Sequence, residues 1–171
     1  VILGNSGTNI LTGGGGTDSL AGGAGNDVYY YDSATTVVDE ASNAGAGVDE
    51  VRTSVDGINL TDTAHFKGGI ENLTFLGGVI SGTGNALANV ITGNGENNSI
   101  YGGDGNDTID GGTGDDSMDG GNGNDTEFVD GSSVVVDNTG TVTTTSDTSL
   151  ASINAYALGI GIENLIFTFT G

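Results

Sequence analysis

Residues 102–128 read GGDGNDTID, GGTGDDSMD and GGNGNDTEF in succession. These three nonapeptides share glycine at positions 1, 2 and 4, aspartate at position 6 and, in the first two, an apolar residue at position 8. Residues 13–18 and 22–27 carry the same GGxGxD start, again nine residues apart. A period this regular predicts a repeat architecture in which one short structural unit stacks on the next.

Weaker copies of the unit extend the pattern on both sides. Three of them, at 4–11, 84–91 and 93–100, keep the frame but place asparagine at position 6. The segments between the repeats are rich in Thr, Val and Ser and show little helical periodicity, so they predict short strands. The sequence therefore predicts an all-β chain of two nonapeptide blocks, each followed by a β-rich spacer. The first block is 1–32 and its spacer 33–83; the second block is 84–130 and its degenerate spacer 131–171.

A longer duplication is superimposed on the nonapeptides. The sequence IENLTF at Ile70–Phe75 recurs 92 residues later as IENLIF at Ile162–Phe167, and each copy follows a nonapeptide block. The first five residues, VILGN, resemble VITGN at 90–94. We therefore expect this chain to be a fragment of a longer repeat protein.

The composition narrows the possible functions. The 171 residues include 34 glycines, no proline or cysteine, and 23 acidic residues against two basic ones, which gives a formal charge of −21. This charge excludes binding to nucleic acid or to anionic membranes as a main function, and no apolar run is long enough to insert into a bilayer. With His65 as the single histidine and no GxSxG or Walker pattern, we expect no enzymatic activity.

The spacing of the carboxylates indicates a bound cation. Glycine at positions 1, 2 and 4 permits a tight turn, and the carboxylate at position 6 faces its hollow. Two nonapeptides complete one coil, so each turn stacks on the turn 18 residues later, about 4.8 Å away. Stacked turns gather carboxylate and carbonyl oxygens, which are the ligands that Ca²⁺ prefers. The predicted stacked pairs are Asp107 with Asp125, Asn89 with Asp107, Asn98 with Asp116, and Asn9 with Asp27.

Three further aspartates complete the set of candidate side-chain ligands. Asp18 needs a partner outside its own block. Asp32 and Asp130 each lie five residues after the last repeat aspartate of a block and are candidates to cap the terminal sites. Because stacked carboxylates repel one another, we expect the repeats to fold only when the cation is bound, and sites that contain asparagine to be weaker.

The repeats resemble those of RTX hemolysin-type calcium-binding proteins. The resemblance covers most of the chain, through five GGxGxD turns in phase, the spacers that contain ENL and the run at 82–94. It implies a parallel β-roll (a β-solenoid) with Ca²⁺ in the turns, type I secretion and folding outside the cell. One departure is Glu127, an acidic residue at the inward position 8. The family also implies carbonyl ligands at positions 1 and 3, which here are Gly13, Gly15, Gly22, Ala24, Gly102, Asp104, Gly111, Thr113, Gly120 and Asn122.

Three functions are compatible with these features. The duplication of block plus spacer favours a structural module of a secreted or cell-surface repeat protein, such as an adhesin, surface layer or filament, with self-association or head-to-tail assembly. A second interpretation is the calcium-binding tail of a secreted enzyme whose catalytic domain lies outside this chain. The third is a β-roll that binds glycans or ice.

Some residues outside the nonapeptide frame have two interpretations. Tyr29–Tyr31 predicts a strand that alternates between core and surface, with a glycan-stacking patch as the alternative. Asp49 is either a further ligand or part of a solvated turn. Arg52 and Lys67 are predicted to form isolated ion pairs, and His65 is predicted to lie at the surface. The duplicated motif predicts structural turns, with cation binding as the alternative, at Glu71–Asn72 and Glu163–Asn164.

Overall fold

The computed structural model describes residues 1–40 and 47–129 in full and, beyond them, the backbone of four strands. In this part of the chain there are nineteen short strands and no helix. The strands are β1 (Ile2–Leu3), β2 (Ile10–Thr12), β3 (Ser19–Ala21), β4 (Val28–Tyr31), β5 (Val37–Asp39), β6 (Glu50–Thr53), β7 (Ile58–Asn59), β8 (Phe66–Lys67), β9 (Asn72–Phe75), β10 (Ser81–Thr83), β11 (Val90–Asn94), β12 (Ser99–Asp104), β13 (Thr108–Gly112), β14 (Ser117–Asn122), β15 (Thr126–Val129), β16 (Val135–Val136), β17 (Asp147–Ala151), β18 (Ala157–Leu158) and β19 (Ile162–Phe167).

The strands form two walls of a parallel β-solenoid. One wall is a nine-stranded sheet in the order β19-β17-β15-β13-β11-β9-β6-β4-β2. The other wall consists of a four-stranded sheet, β1-β3-β5-β8, and a six-stranded sheet, β18-β16-β14-β12-β10-β7. Neighbouring strands are parallel, as in the pairs β2 with β4, β10 with β12 and β13 with β15. The predicted parallel β-roll is therefore confirmed.

The register of the strands shows how many residues make one coil. In the second block Ile91 pairs with Ile109, a step of 18 residues, which confirms that two nonapeptides complete a coil. Through the first spacer the step lengthens to 22, from Tyr29 to Val51 and from Val51 to Leu73, and it returns to 18 from Leu73 to Ile91. The spacer strands β6 and β9 thus continue the nine-stranded sheet between the two blocks.

The core is a narrow apolar layer between the walls. Alternate residues point inward, so that Tyr29 and Tyr31 are buried while Tyr30 is half-buried on the outer face, which confirms the predicted alternation. Each fully buried apolar side chain contributes about 1.5–3 kcal/mol to folding. The inward side chains that are at most 3% exposed include Leu11, Tyr29, Val51, Leu73, Ile91 and Ile109 on one wall and Leu20, Val38, Ile100 and Met118 on the other.

Candidate metal centre

Each repeat turn folds its aspartate back over its first glycine. In the turn at 102–107, Gly103 and Gly105 have φ values of 117° and 120°, which L side chains rarely adopt. This conformation brings Oδ2 of Asp107 so close to Gly102 that a Cβ there would overlap it. The carboxylate therefore lies inside the turn, at the edge of the solenoid, rather than in solvent.

One oxygen of each carboxylate joins neighbouring coils. Oδ1 of Asp107 accepts a hydrogen bond from the backbone N–H of Asn89 at 2.7 Å, and Oδ1 of Asp125 accepts one from the N–H of Asp107 at 2.8 Å. The same contact joins the other two predicted pairs, Asn98 with Asp116 at 2.8 Å and Asn9 with Asp27 at 2.7 Å. All four stacked pairs predicted from the sequence are therefore in contact.

The second carboxylate oxygen remains available inside the turn. Oδ2 of Asp27 and Oδ2 of Asp107 are buried and have no hydrogen-bond partner, and both residues are only 1% exposed. Burial, together with the negative charges of Asp125 and Asp104, raises the pKa of Asp107 to about 7 against the opposing hydrogen bond from Asn89. A buried, unsatisfied oxygen in a turn of carboxylates and carbonyls is a donor set that fits Ca²⁺.

No basic side chain is available to neutralise these carboxylates. The two Lys and Arg residues of the chain are both engaged elsewhere, Arg52 with Glu50 at 2.9 Å and Lys67 with Asp39 at 3.7 Å. The single histidine, His65, is half-buried and contacts Asp62 at 2.7 Å. The predicted ion pairs of Arg52 and Lys67 are thus confirmed. Because both side chains are occupied, the buried negative charge of the turn carboxylates must be compensated by a ligand or by protons.

The comparison with known families agrees with this geometry. The family profile of the RTX calcium-binding nonapeptide repeat (four copies) matches residues 1–34, 83–118 and 92–127. The chain carries RTX calcium-binding repeats. RTX nonapeptide repeats bind calcium, so Ca²⁺ is the cofactor of these turns. The repeats of this family have a structural role, and they are characteristic of secreted proteins. No curated protein matches the chain. Within the described residues, no helix is both long and apolar enough to cross a membrane.

The backbone ligands implied by the RTX family remain a prediction. The glycines at position 1 are well placed to offer carbonyl ligands between coils, because the carbonyl oxygens of Gly111 and Gly120 lie against the first glycine of the preceding coil. Position-3 residues lie further out: Asp104 and Thr113 are exposed, and the half-buried Asn122 uses its carbonyl to accept the N–H of Gly105 at 2.8 Å. In the first block, Gly22 is buried, Gly13 and Ala24 are half-buried and Gly15 is exposed.

The aspartates at the ends of the RTX blocks differ from those inside them. Asp18 is half-buried, and the residue 18 positions later is not a carboxylate but Thr36, whose buried hydroxyl has no hydrogen-bond partner. Asp32 is exposed, and Asp130 lies outside the described residues. The capping roles of Asp32 and Asp130 therefore stay predictions.

Asparagine at position 6 makes a different set of contacts. Oδ1 of Asn89 accepts the N–H of Asn85 at 2.8 Å, and its amide nitrogen donates to the carbonyl oxygens of Ile70 at 3.0 Å and Glu71 at 3.1 Å. Oδ1 of Asn98 accepts the N–H of Asn94 at 2.9 Å, and its amide nitrogen donates to the carbonyl of Val79 at 3.0 Å. The carboxamide of asparagine thus donates hydrogen bonds to backbone carbonyls of the preceding coil.

Two carboxylates of the first spacer, Asp49 and Glu71, continue the series of carboxylate contacts that joins the coils of the RTX blocks. The sequence offers cation binding as one of two interpretations for each of them. Oδ1 of Asp49 accepts the N–H of Asp27, and Oε2 of Glu71 accepts the N–H of Asp49, both at 2.8 Å. Asp49 is 3% exposed, so its interpretation as part of a solvated turn is wrong. The available signal was Gly47-Val48-Asp49, which keeps positions 4 to 6 of the repeat. The side chains of Glu163 and Asn164 lie outside the described residues.

Glu127 occupies an apolar position of the repeat without leaving its carboxylate unsatisfied. It is fully buried, and its Oε1 accepts the N–H of Gly120 at 3.2 Å. Tyr29 occupies the equivalent position 8 and contacts the N–H of Gly22 through its hydroxyl at 2.7 Å. In both repeats a polar side-chain tip reaches back to the first glycine, seven residues earlier.

Proposed function

We propose that this chain is a structural module of a secreted or cell-surface protein, folded by Ca²⁺ outside the cell. One observation carries the proposal: the stacked carboxylates of Asp107 and Asp125 are buried at the edge of the solenoid, and Asp107 keeps one oxygen without a hydrogen-bond partner. Buried charges in stable proteins are paired or bind metal. In cytosol that is poor in calcium, the same repulsion would keep the chain unfolded for export.

In the folded chain, backbone contacts hold the ligand oxygens of each site in position. Backbone N–H groups of Asn89 and Asp107 hold one oxygen of the next carboxylate, which fixes the direction of the other oxygen. The glycine at position 1 leaves room for that oxygen. A bound Ca²⁺ would supply the positive charge that offsets the repulsion between stacked turns, and its binding free energy would then become folding free energy.

The continuity of the solenoid supports a structural role. The nine-stranded sheet runs from the first block through the spacer into the second block. Both copies of the ENL motif contribute to this sheet, in β9 and in β19. A module that repeats block plus spacer in one continuous wall suits an adhesin, surface layer or filament. The alternative of an enzyme tail would be supported by a catalytic domain in the flanking sequence.

The outer face of the long sheet gives less support to ice binding. Ice-binding surfaces would use a regular row of threonines. Thr74 and Thr92 are neighbours in one row of β9 and β11, but the row continues to Arg52 on one side and Asp110 on the other. A second row pairs Thr108 with Thr126 and Thr126 with Thr148, but it continues to Val90 and Asn72 on the other side. In the described part of this face, threonines therefore line three neighbouring strands at most and do not form a row along the whole sheet.

Circular dichroism with and without calcium tests the proposed function. We expect coil in chelator, β-structure in millimolar Ca²⁺, consistent with the weak affinities of extracellular modules, and no comparable folding in Mg²⁺ at the same ionic strength. Sedimentation velocity in Ca²⁺ should show association that grows with protein concentration. At pH 8, where the buried carboxylates are ionised, a β-structured chain in chelator would overturn calcium-driven folding. A monomer at every protein concentration would overturn self-assembly.

A further inference from the structure

A second kind of carboxylate cluster lies at the junction between the first RTX block and the spacer. Asp27, Glu40 and Asp49 each place a carboxylate oxygen within 4.8 Å of the others. Only Asp27 belongs to a GGxGxD turn. Glu40 directly follows β5 and occupies no aspartate position of the nonapeptide, and Asp49 precedes β6 in the segment that the family profile does not match.

The backbone holds all three residues of this cluster in place. Asp27 accepts the N–H of Asn9, and Asp49 accepts the N–H of Asp27. The N–H of Glu40 donates to the carbonyl of Lys67 at 2.7 Å, and Oε1 of Glu40 accepts the N–H of Gly22 at 3.3 Å. Each carboxylate of the cluster thus accepts a hydrogen bond from the backbone of a neighbouring coil, which fixes its position.

The cluster also has unsatisfied oxygens in its interior. Asp27, Glu40 and Asp49 are 1%, 6% and 3% exposed. Oδ2 of Asp27 and Oε2 of Glu40 are buried and accept no hydrogen bond. Burial and the nearby charge of Asp49 raise the pKa of Glu40 to about 7. A cation would satisfy both oxygens at once.

The geometry points to a calcium site formed by Asp27, Glu40 and Asp49, which joins the spacer to the first RTX block. The three carboxylates are hard ligands for a divalent cation, and two of them, Asp27 and Glu40, keep a buried oxygen without a hydrogen-bond partner. Every basic side chain of the chain is engaged elsewhere. The identity of the ion rests on the proposed function, which makes Ca²⁺ the available cation. The consequence is that the spacer folds with the first block instead of behaving as a linker.

Calorimetric titration of the full chain with CaCl₂ tests this site. The test variant is Glu40→Gln, which keeps the size of the side chain and removes its charge. The matched control is Glu96→Gln, which makes the same change at an exposed position of the second block. We expect Glu40→Gln to lose one calcium ion per chain, or to bind it about tenfold more weakly because of the lower ligand charge. The control should bind as the wild type does.

Two additional variants make each outcome decisive. Asp49→Asn should remove the same ion, which decides the matter if Glu40→Gln fails to fold. Asp107→Asn affects a separate RTX turn, so a double variant with Glu40→Gln should lose both ions. If neither Glu40→Gln nor Asp49→Asn changes the number of bound ions while Asp107→Asn does, the cluster is only a protonated structural contact and the inference is overturned. If the wild type binds no calcium, the proposed function itself fails.

Discussion

The backbone N–H of Asp107 donates to Oδ1 of Asp125, one coil further along, while Oδ2 of Asp107 stays buried without a hydrogen-bond partner. Oδ1 of Asp125 thus joins two stacked turns, whereas Oδ2 of Asp107 lies in the interior of its turn. Two negative charges about 4.8 Å apart repel by about 3–4 kcal/mol at an effective dielectric constant near 20. The hydrogen bond between the two stacked turns thus brings their carboxylates close together, and a cation or a proton is required to reduce the repulsion between them.

We expect Asp107→Asn to weaken calcium-dependent folding more than most single substitutions. The asparagine keeps an oxygen for the N–H of Asn89 but removes the charge that attracts the ion. At free calcium about 100-fold above the dissociation constant, loss of one site removes about 2–3 kcal/mol of stability. Urea unfolding in calcium, followed by circular dichroism, measures this loss.

The matched control for Asp107 is Asp115→Asn in the next repeat. Asp115 is exposed, and the substitution changes the net charge by the same amount. It should shift the unfolding midpoint only slightly. Equal losses of stability in both variants would mean that the net charge, rather than the buried site, controls folding.

The regular parts of this fold are predictable because glycine and aspartate determine them locally. The period of nine sets the turn, and two periods set the pairing of Ile91 with Ile109. The spacer coils are not predictable in the same way, because four additional residues between Asp27 and Asp49 break the period while the sheet continues. Glu40 keeps the regular step of 18 residues from Gly22, but it stands where the repeat has its first glycine, so the pattern assigns it no ligand role.

Without metal, we expect the chain to become more folded as the pH falls. The pKa of Asp107 and that of Glu40 are both raised to about 7, first of all by burial, from ordinary values of 3.8 and 4.5. A group whose pKa is raised on folding stabilises the folded state fully below its unfolded pKa and loses this effect as the pH rises through the folded value. The metal-free chain should therefore gain β-structure between pH 8 and pH 5, measured by circular dichroism after removal of calcium.

Calcium should reverse this pH dependence, because protons and Ca²⁺ compete for the same oxygens. Calcium affinity should rise from pH 5 to pH 8 in calorimetric titrations. The variant Glu40→Gln should show a weaker dependence of metal-free folding on pH. A metal-free chain whose β-structure increases with pH would contradict the assignment of buried, protonated carboxylates.

Gly102→Ala should destabilise the folded chain although the backbone at this position needs no left-handed conformation. A Cβ at Gly102 would overlap Oδ2 of Asp107 and approach the carbonyl of Gly120. Overpacking of this kind typically costs about 1–3 kcal/mol, and here it also displaces a ligand oxygen. Urea unfolding in saturating calcium measures the cost, and a calcium titration shows the accompanying loss of affinity.

Gly77→Ala is the control for Gly102, because a Cβ at Gly77 meets nothing within 4 Å. The same substitution in open space should leave both stability and calcium affinity close to those of the wild type. If Gly77→Ala were as harmful as Gly102→Ala, the loss would reflect general backbone stiffening and not the close approach of Asp107.

Asn98→Asp should convert a hydrogen-bonded turn into one that depends on calcium. The amide nitrogen of Asn98 donates to the carbonyl of Val79 at 3.0 Å, and a carboxylate would instead place an oxygen against that carbonyl. Loss of such a buried contact costs about 1–3 kcal/mol. At low calcium the variant should be less folded than the wild type. At saturating calcium the new carboxylate, stacked with Asp116, should bind one more ion per chain and restore folding.

The control for this last variant is Asn97→Asp, which adds the same charge at the adjacent, exposed position. Its side-chain oxygen accepts the N–H of Asp115 at 3.1 Å, and an aspartate keeps that oxygen. We therefore expect Asn97→Asp to bind as many ions as the wild type. An additional ion in both variants would mean that any added carboxylate recruits calcium, whereas an additional ion in Asn98→Asp alone places the determinant at position 6, where the side chain lies between two coils.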